Sequence, residues 1–239
     1  MRLRESQRKC SYCGTTAAQA HMVGRLQRDH VFEAGLYPPS KVTSTIQRLT
    51  IPACDQCNQG YSDDEAYFRD ILTLAGDPPN AARQEIWPII LRSWNREDGE
   101  RRLLDVAAAM EPVQTPEGQR YKVYPSRDER VLRVVRKIVR GLCHFHKIDT
   151  AVADGRVKVE RLSYRPPPEI LSRMKYDHRE VDIAEYWYIV WGDDETTPVL
   201  ATILLSFYER TPFIAWVAEK ADPALRPSQA GPIMPPLNL

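Results

Sequence analysis

Four cysteines fall in two C-x-x-C pairs, Cys10-Ser11-Tyr12-Cys13 and Cys54-Asp55-Gln56-Cys57, with the dipeptide Asp29-His30 between them and Asn58 directly after. Each pair lets two sulfurs reach one ion from a tight turn. Two pairs forty residues apart can close a tetrahedral zinc site of thiolates with Zn–S distances of about 2.3 Å. A site with four protein ligands has no open position for a substrate, so the metal it holds is structural. Reactive chemistry is then left to the polar residues that the clamp positions.

The elements around these residues read as follows. Strands are expected near Ala20 to Val23 and Asp29 to Phe32, with a loop carrying Pro38-Pro39 before the second knuckle. Ser62 and Glu65 have capping-box spacing, apolar residues follow at helical intervals, and Gly76 with Pro78-Pro79 stops the run, which predicts a helix over Asp63 to Ala75. Asn80 to Asn95 and Glu100 to Met110 look helical, with Pro88 kinking or dividing the first. Glu111 to Gln119, with two prolines and a glycine, reads as a linker, and Arg120 to Tyr124 as a short strand. Ser126 and Glu129 repeat the capping signature before an apolar stripe running to about His146. Beyond it, Arg156 to Leu162, Tyr186 to Trp191, Val199 to Tyr208 and Phe213 to Val217 read as strands, the last three as an antiparallel meander packed on the helix.

The expected fold class is therefore α+β. It comprises a zinc-stabilised ββα module at 1–78, a helical connector at 79–118, a domain at 119–221 with a long helix on an antiparallel sheet, and a proline-rich flexible tail at 222–239. Of the 239 residues 43% are hydrophobic and 27% charged, a globular balance, and no apolar run is long enough for a membrane span. The charged start and the pairing of four of the five cysteines in metal knuckles point to a reducing, cytoplasmic setting. Cys143, with His144 and His146 nearby, reads as a packing residue.

The order C-x-x-C, then Asp29-His30-Val31 and a proline-containing loop, then Ile51-Pro52-Ala53-Cys54-x-x-Cys57-Asn58, resembles the zinc-stabilised HNH endonucleases of the ββα-metal type. The resemblance covers about residues 10–75. It implies that His30 is the general base, that Asp29 and Asn58 hold one divalent ion (Mg²⁺ or Mn²⁺), that Cys10, Cys13, Cys54 and Cys57 hold structural Zn²⁺, and that the reaction is hydrolysis of phosphodiester bonds in nucleic acid, DNA by preference. The chemistry is consistent with the residue types. A histidine with an ordinary pKa near 6.5 can deprotonate water at neutral pH, and a hard cation with oxygen ligands can stabilise the charge that builds on phosphate oxygens. One departure stands out. The asparagine usual before the second knuckle, which orients the base, is absent between His30 and Cys54, and Gln47 is the candidate substitute.

Net charge is only +1, but 126–147 carries seven Arg or Lys against two Asp or Glu. Arg133, Arg136, Lys137 and Arg140 fall at i, i+3, i+4 and i+7, one helix face suited to following a phosphate backbone. Arg2, Arg4, Arg8 and Lys9 form a second basic patch. The expected partner is nucleic acid, with a protein partner or a second copy engaged through the C-terminal domain. The competing reading is an inactive zinc-stabilised module that binds nucleic acid or protein, or a subunit of a larger defence complex.

Overall fold

The computed structural model describes residues 8–20, 26–42, 48–74, 81–96, 98–115, 118–123, 127–177, 180, 183–191, 198–209 and 211–220. After the first knuckle come one helical turn, α1 (Ala17–Ala20), strand β1 (Leu26–His30), a short helix α2 (Pro39–Val42) and strand β2 (Thr50–Cys54). β1 and β2 are antiparallel, with Asp29 opposite Ile51 and His30 opposite Thr50. Helices α3 (Asp55–Gln59) and α4 (Ser62–Leu74) follow, the first beginning on the second knuckle. The expected strand at Asp29 to Phe32 thus lies earlier. That at Ala20 to Val23 falls largely outside the described residues, and Ala20 itself ends a helical turn.

The middle of the chain holds α5 (Ala81–Trp94), which runs through Pro88, and α6 (Gly99–Ala108). The expected linker over Glu111 to Gln119 is instead hairpin structure. β3 (Met110–Thr115) and β4 (Gly118–Val123) pair antiparallel with Thr115 opposite Gly118. Gly118 has φ +118°, a conformation L side chains rarely adopt, so the glycine that reads as linker punctuation is a turn residue.

Helix α7 (Glu129–Phe145) starts on Asp128, whose Oδ1 accepts from the backbone N–H groups of Arg130 and Val131 at 2.9 and 3.3 Å. Ser126, the expected cap, is outside the described residues. β5 (Val157–Arg161), a turn of helix α8 (Pro168–Leu171), β6 (Lys175–Asp177), β7 (Ala184–Val190), β8 (Val199–Phe207) and β9 (Thr211–Ala218) complete the chain. The sheet is antiparallel in the order β5-β9-β8-β7-β6, so the expected meander is present with a strand added at each edge. The architecture is α+β with a four-cysteine cluster near its start.

One apolar cluster runs from the knuckles to this sheet. Phe32, after β1, packs on Tyr186 and Phe207, and Phe68 of α4 meets Phe207 edge-on at 5.2 Å. α7 lies against α4, β2 and β5. Its Val131, Val135, Ile138 and Val139 are at most 1% exposed, each burial contributing about 1.5–3 kcal/mol. At Gly141 an added Cβ would come within 3.1–3.3 Å of Val31 and Ile51, so this glycine lets the helix press onto the β1–β2 pair. Three further bonds tie the segment between β1 and β2 to the C-terminal region. Buried Glu180 accepts from Tyr37 Oη at 2.6 Å and from the Leu49 amide at 2.9 Å, and Tyr208 Oη donates to the Leu36 carbonyl at 2.7 Å. Among the described residues, no helix is long and apolar enough to cross a membrane.

Candidate functional site

The first knuckle is a turn closed by the Gly14 amide donating to the Cys10 carbonyl at 2.9 Å, with Gly14 at φ +74°. The Ser11 amide donates to the Pro52 carbonyl at 2.8 Å, which fastens that turn to β2 beside the second knuckle. As a result the Sγ atoms of Cys10, Cys13, Cys54 and Cys57 all lie within 4.8 Å of one another. Cys13 and Cys54 Sγ are 3.8 Å apart, the edge of a tetrahedron with bonds of about 2.3 Å. The Cys10 thiol is pushed down to about 4, first by its hydrogen bond with Cys57 and also by backbone N–H groups of Cys13, Cys54 and Tyr12, against burial. Amides aimed at a thiolate are what a metal-bound sulfur requires around it. The cluster can hold a metal ion of the zinc type.

Of the three residues expected to do chemistry, Asp29 is the most buried, at 6% exposed. Its Oδ2 accepts from Tyr12 Oη at 2.8 Å and lies 2.9 Å from Lys137 Nζ of α7. The same ammonium donates to Glu65 Oε1 of α4 at 2.5 Å. Burial works against the charged lysine, but Asp29 and Glu65 outweigh it and raise its pKa. Burial raises Glu65 as well, with Lys137 opposing. The capping role expected of Glu65 is thereby displaced: its carboxylate serves the buried cation, and Ser62 Oγ donates to the Gln59 carbonyl instead.

His30 is half-buried at the end of β1, its ring 6.4 Å from that of Tyr37. Its pKa is lowered, first by burial and then by Arg48, with Asp29 opposing, so the imidazole is neutral at neutral pH. Nδ1 is buried and without a hydrogen-bond partner among the described residues; Gln47, the candidate orienting residue, lies outside them. Asn58 is on α3, and its amide donates to Gln27 Oε1 at 3.4 Å. Asn58 is turned towards Gln27, and Asp29 faces Tyr12 and Lys137. Among the described residues only the four cysteines bring three or more His, Cys, Asp or Glu ligand atoms together.

The expected cationic row on α7 is not an open surface. Lys137 is 1% exposed and sits within the Asp29 cluster. Arg140 donates to the carbonyls of Val152 and Tyr12 at 2.6 and 2.7 Å and to Tyr61 Oη at 3.1 Å. Arg136 pairs with Glu129 and, at 3.0 Å, with Asp154. Arg133 pairs with Asp64, donates to the Gly60 carbonyl and lies over the Tyr61 ring. All four side chains have acceptors within the protein, and Arg133 is the most accessible of them. Cys143 is fully buried, and His146 packs on Tyr188, both consistent with packing roles.

Sequence reasoning missed Lys137, Glu65 and Tyr12 as members of the site. The sequence carries little signal for this: the apolar residues of α7, from Val131 to Cys143, cover about half the helix, and Lys137 falls on the opposite, cationic face. Nothing in the local sequence marks its partners, which come from three other segments. No protein-family model matches the chain, and no curated protein or solved structure does either, so what the site can do rests on its own residues.

Proposed function

We propose that the chain is an HNH-type endonuclease that hydrolyses phosphodiester bonds in nucleic acid, DNA by preference, with His30 as general base and the four cysteines holding structural zinc. The observation that carries this reading is the placement of a half-buried His30 at the end of β1, following the buried Asp29 carboxylate and on the strand pair whose other end carries Cys54, with burial and Arg48 lowering its pKa. A neutral imidazole at pH 7 can accept a water proton. With Nδ1 buried, Nε2 is the nitrogen left for that proton. The divalent ion of the family, Mg²⁺ or Mn²⁺, would be held by Asp29 and Asn58 and would stabilise charge on the phosphate oxygens. The donor set here fits that ion poorly, because Lys137 already neutralises Asp29 and Asn58 faces Gln27.

One observation favours the second reading, an inactive module that binds nucleic acid or protein: the Nδ1 of His30 has no acceptor to orient it. Plasmid nicking with Mg²⁺ or Mn²⁺ separates the two. The nuclease reading expects wild-type nicking and a loss of roughly two to four orders of magnitude in His30→Ala, the usual contribution of a general base. Equal rates in the two proteins would sink it, and absence of nicking in both leaves the binding module.

A further inference from the structure

Helices α4, α5 and α6 enclose a cavity of about 470 Å³ whose wall carries four arginines, Arg69, Arg92, Arg96 and Arg102, with Ser93 and one carboxylate, Asp98. Two of the arginines are held in place from beneath. Asp70 is fully buried, and its Oδ2 accepts from Arg102 Nε at 3.0 Å and Trp94 Nε1 at 2.8 Å, while its Oδ1 receives Arg69 at 3.3 Å. Arg102 Nη2 also donates to Ser93 Oγ at 2.8 Å. Those bonds fix two guanidinium planes before any ligand arrives, which lowers the ordering cost of binding.

The other two arginines differ. Arg92 and Arg96 are exposed, and neither makes an ion pair among the described residues. The walls come this close because α6 begins on a glycine. A Cβ at Gly99 would stand 2.4 Å from the Ser93 carbonyl oxygen and from Trp94, so only glycine lets the start of α6 sit on the end of α5. The result is a concave, positively charged wall with guanidinium donors left over. Arginine forks match phosphate oxygens in pairs. No aromatic side chain lines the cavity among the described residues, so there is no face for a base to stack on. Ala66 and Ile89 are the apolar side chains of the lining among the described residues.

We propose that this cavity is a phosphate-binding site that holds backbone phosphates of a nucleic-acid strand next to the His30 site. The strand as the source of the phosphates rests on the proposed nuclease reading; the anion chemistry does not. Its place in the fold fits. Arg69 lies one turn after Glu65 on α4, and its Nη1 is 3.7 Å from Glu33 Oε1, three residues beyond His30. Phosphates held here would flank a scissile phosphate at His30 and contribute position without reading sequence.

The test measures binding of a fluorescein-labelled DNA duplex to full-length His30→Ala protein, so that cleavage plays no part, and compares it with the Arg92→Glu/Arg96→Glu variant of that protein. Two exposed residues outside the cavity, Arg173→Glu/Lys175→Glu, change the net charge equally and serve as control. The cavity variant is expected to bind the duplex at least about tenfold more weakly and to lower the salt slope by about two, with an unchanged melting temperature and a control close to the parent. Equal loss in variant and control, or no loss of either duplex or pyrophosphate binding in the cavity variant, overturns the site. A second arm titrates inorganic pyrophosphate. Pyrophosphate binding that the cavity variant abolishes, with duplex affinity unchanged, overturns the strand as the source and assigns the cavity to a free polyphosphate. Nicking that survives His30→Ala refutes the proposed reaction and leaves the binding comparison intact.

Discussion

The protein carries two sets of four cations, and they end in opposite states. The set on α7 comes from one helix face at regular spacing; that around the α4–α6 cavity comes from three helices and the turn that joins the last two. On α7 every cation meets an acceptor: Asp29 and Glu65 for Lys137, Glu129 and Asp154 for Arg136, Asp64 for Arg133, and carbonyls for Arg140. Around the cavity, Asp70 engages two arginines, and Arg92 and Arg96 remain free among the described residues. The difference follows from desolvation. A cation taken out of water costs several kcal/mol unless acceptors surround it, so a buried row must come with its own counter-charges. An exposed arginine has no such requirement, and its charge stays available to a ligand.

The widest separation between the two regions should come from removing the metal. Tyr12, whose carbonyl receives Arg140 and whose hydroxyl reaches Asp29, stands inside the first cysteine knuckle. Structural zinc supplies on the order of 10 kcal/mol or more to such a module. Chelation, or Cys54→Ser with Cys57→Ser, is therefore expected to strip hydrogen-exchange protection from 8–20 and to loosen α7 before α5 and α6. Purified protein should hold one zinc per chain by metal analysis. Unfolding curves that coincide with and without metal would remove the clamp from the account.

Next in size is the buried ammonium. Lys137→Met leaves Asp29 and Glu65 without their cation, and breaking a buried pair from one side costs about 3–5 kcal/mol. Adding Asp29→Asn should recover most of that loss in urea unfolding, since Glu65, already raised by burial, can protonate. A double variant no more stable than Lys137→Met would mean that the lysine contributes packing and not charge compensation.

Glu33 stands between the two regions and gives a smaller, pH-dependent effect. Burial, opposed by Arg69, pushes its carboxyl up to about 8 from 4.5. A carboxyl raised on folding binds its proton more tightly in the native state, so stability is greatest at acid pH. It should fall as pH climbs from about 5 to 8, by at most a few kcal/mol. Glu33→Gln should flatten this decline and leave the variant more stable than wild type at pH 8. A wild-type protein whose stability rises over that range would refute the assignment.

What could be read in advance follows the range of the interactions. The cysteine clamp, α4, α7 and the last three strands are marked by spacing and periodicity within a few residues, and each stands close to where local rules place it. The β3–β4 hairpin was hidden because two prolines and a glycine mark linkers and turns alike, and only pairing across the turn separates them. The Lys137 cluster and the arginine cavity were out of reach for another reason. Asp29, Glu65 and Lys137 lie far apart in the chain and come together only once α7 settles on the β1–β2 pair through Gly141, whereas the arginines meet only once α6 sits on the end of α5 through Gly99. For the α7 row, helical spacing reports which residues share a face, not what that face meets.

The smallest expected effect is the one that tests this last point directly. Arg133 is the most exposed of the α7 row, with its side chain 40% accessible and paired to Asp64. An ion pair that open to water contributes about 0–1 kcal/mol, so Arg133→Ala should scarcely move the unfolding midpoint. If the row followed a DNA backbone, the same change would lower the salt slope of binding by about one. The geometry expects no such change, because the guanidinium is committed to Asp64 and the Gly60 carbonyl over the Tyr61 ring. Equal salt slopes for Arg133→Ala and wild type, beside a reduced slope for Arg92→Glu/Arg96→Glu, would locate phosphate contact in the cavity; a reduced slope in Arg133→Ala would return it to α7.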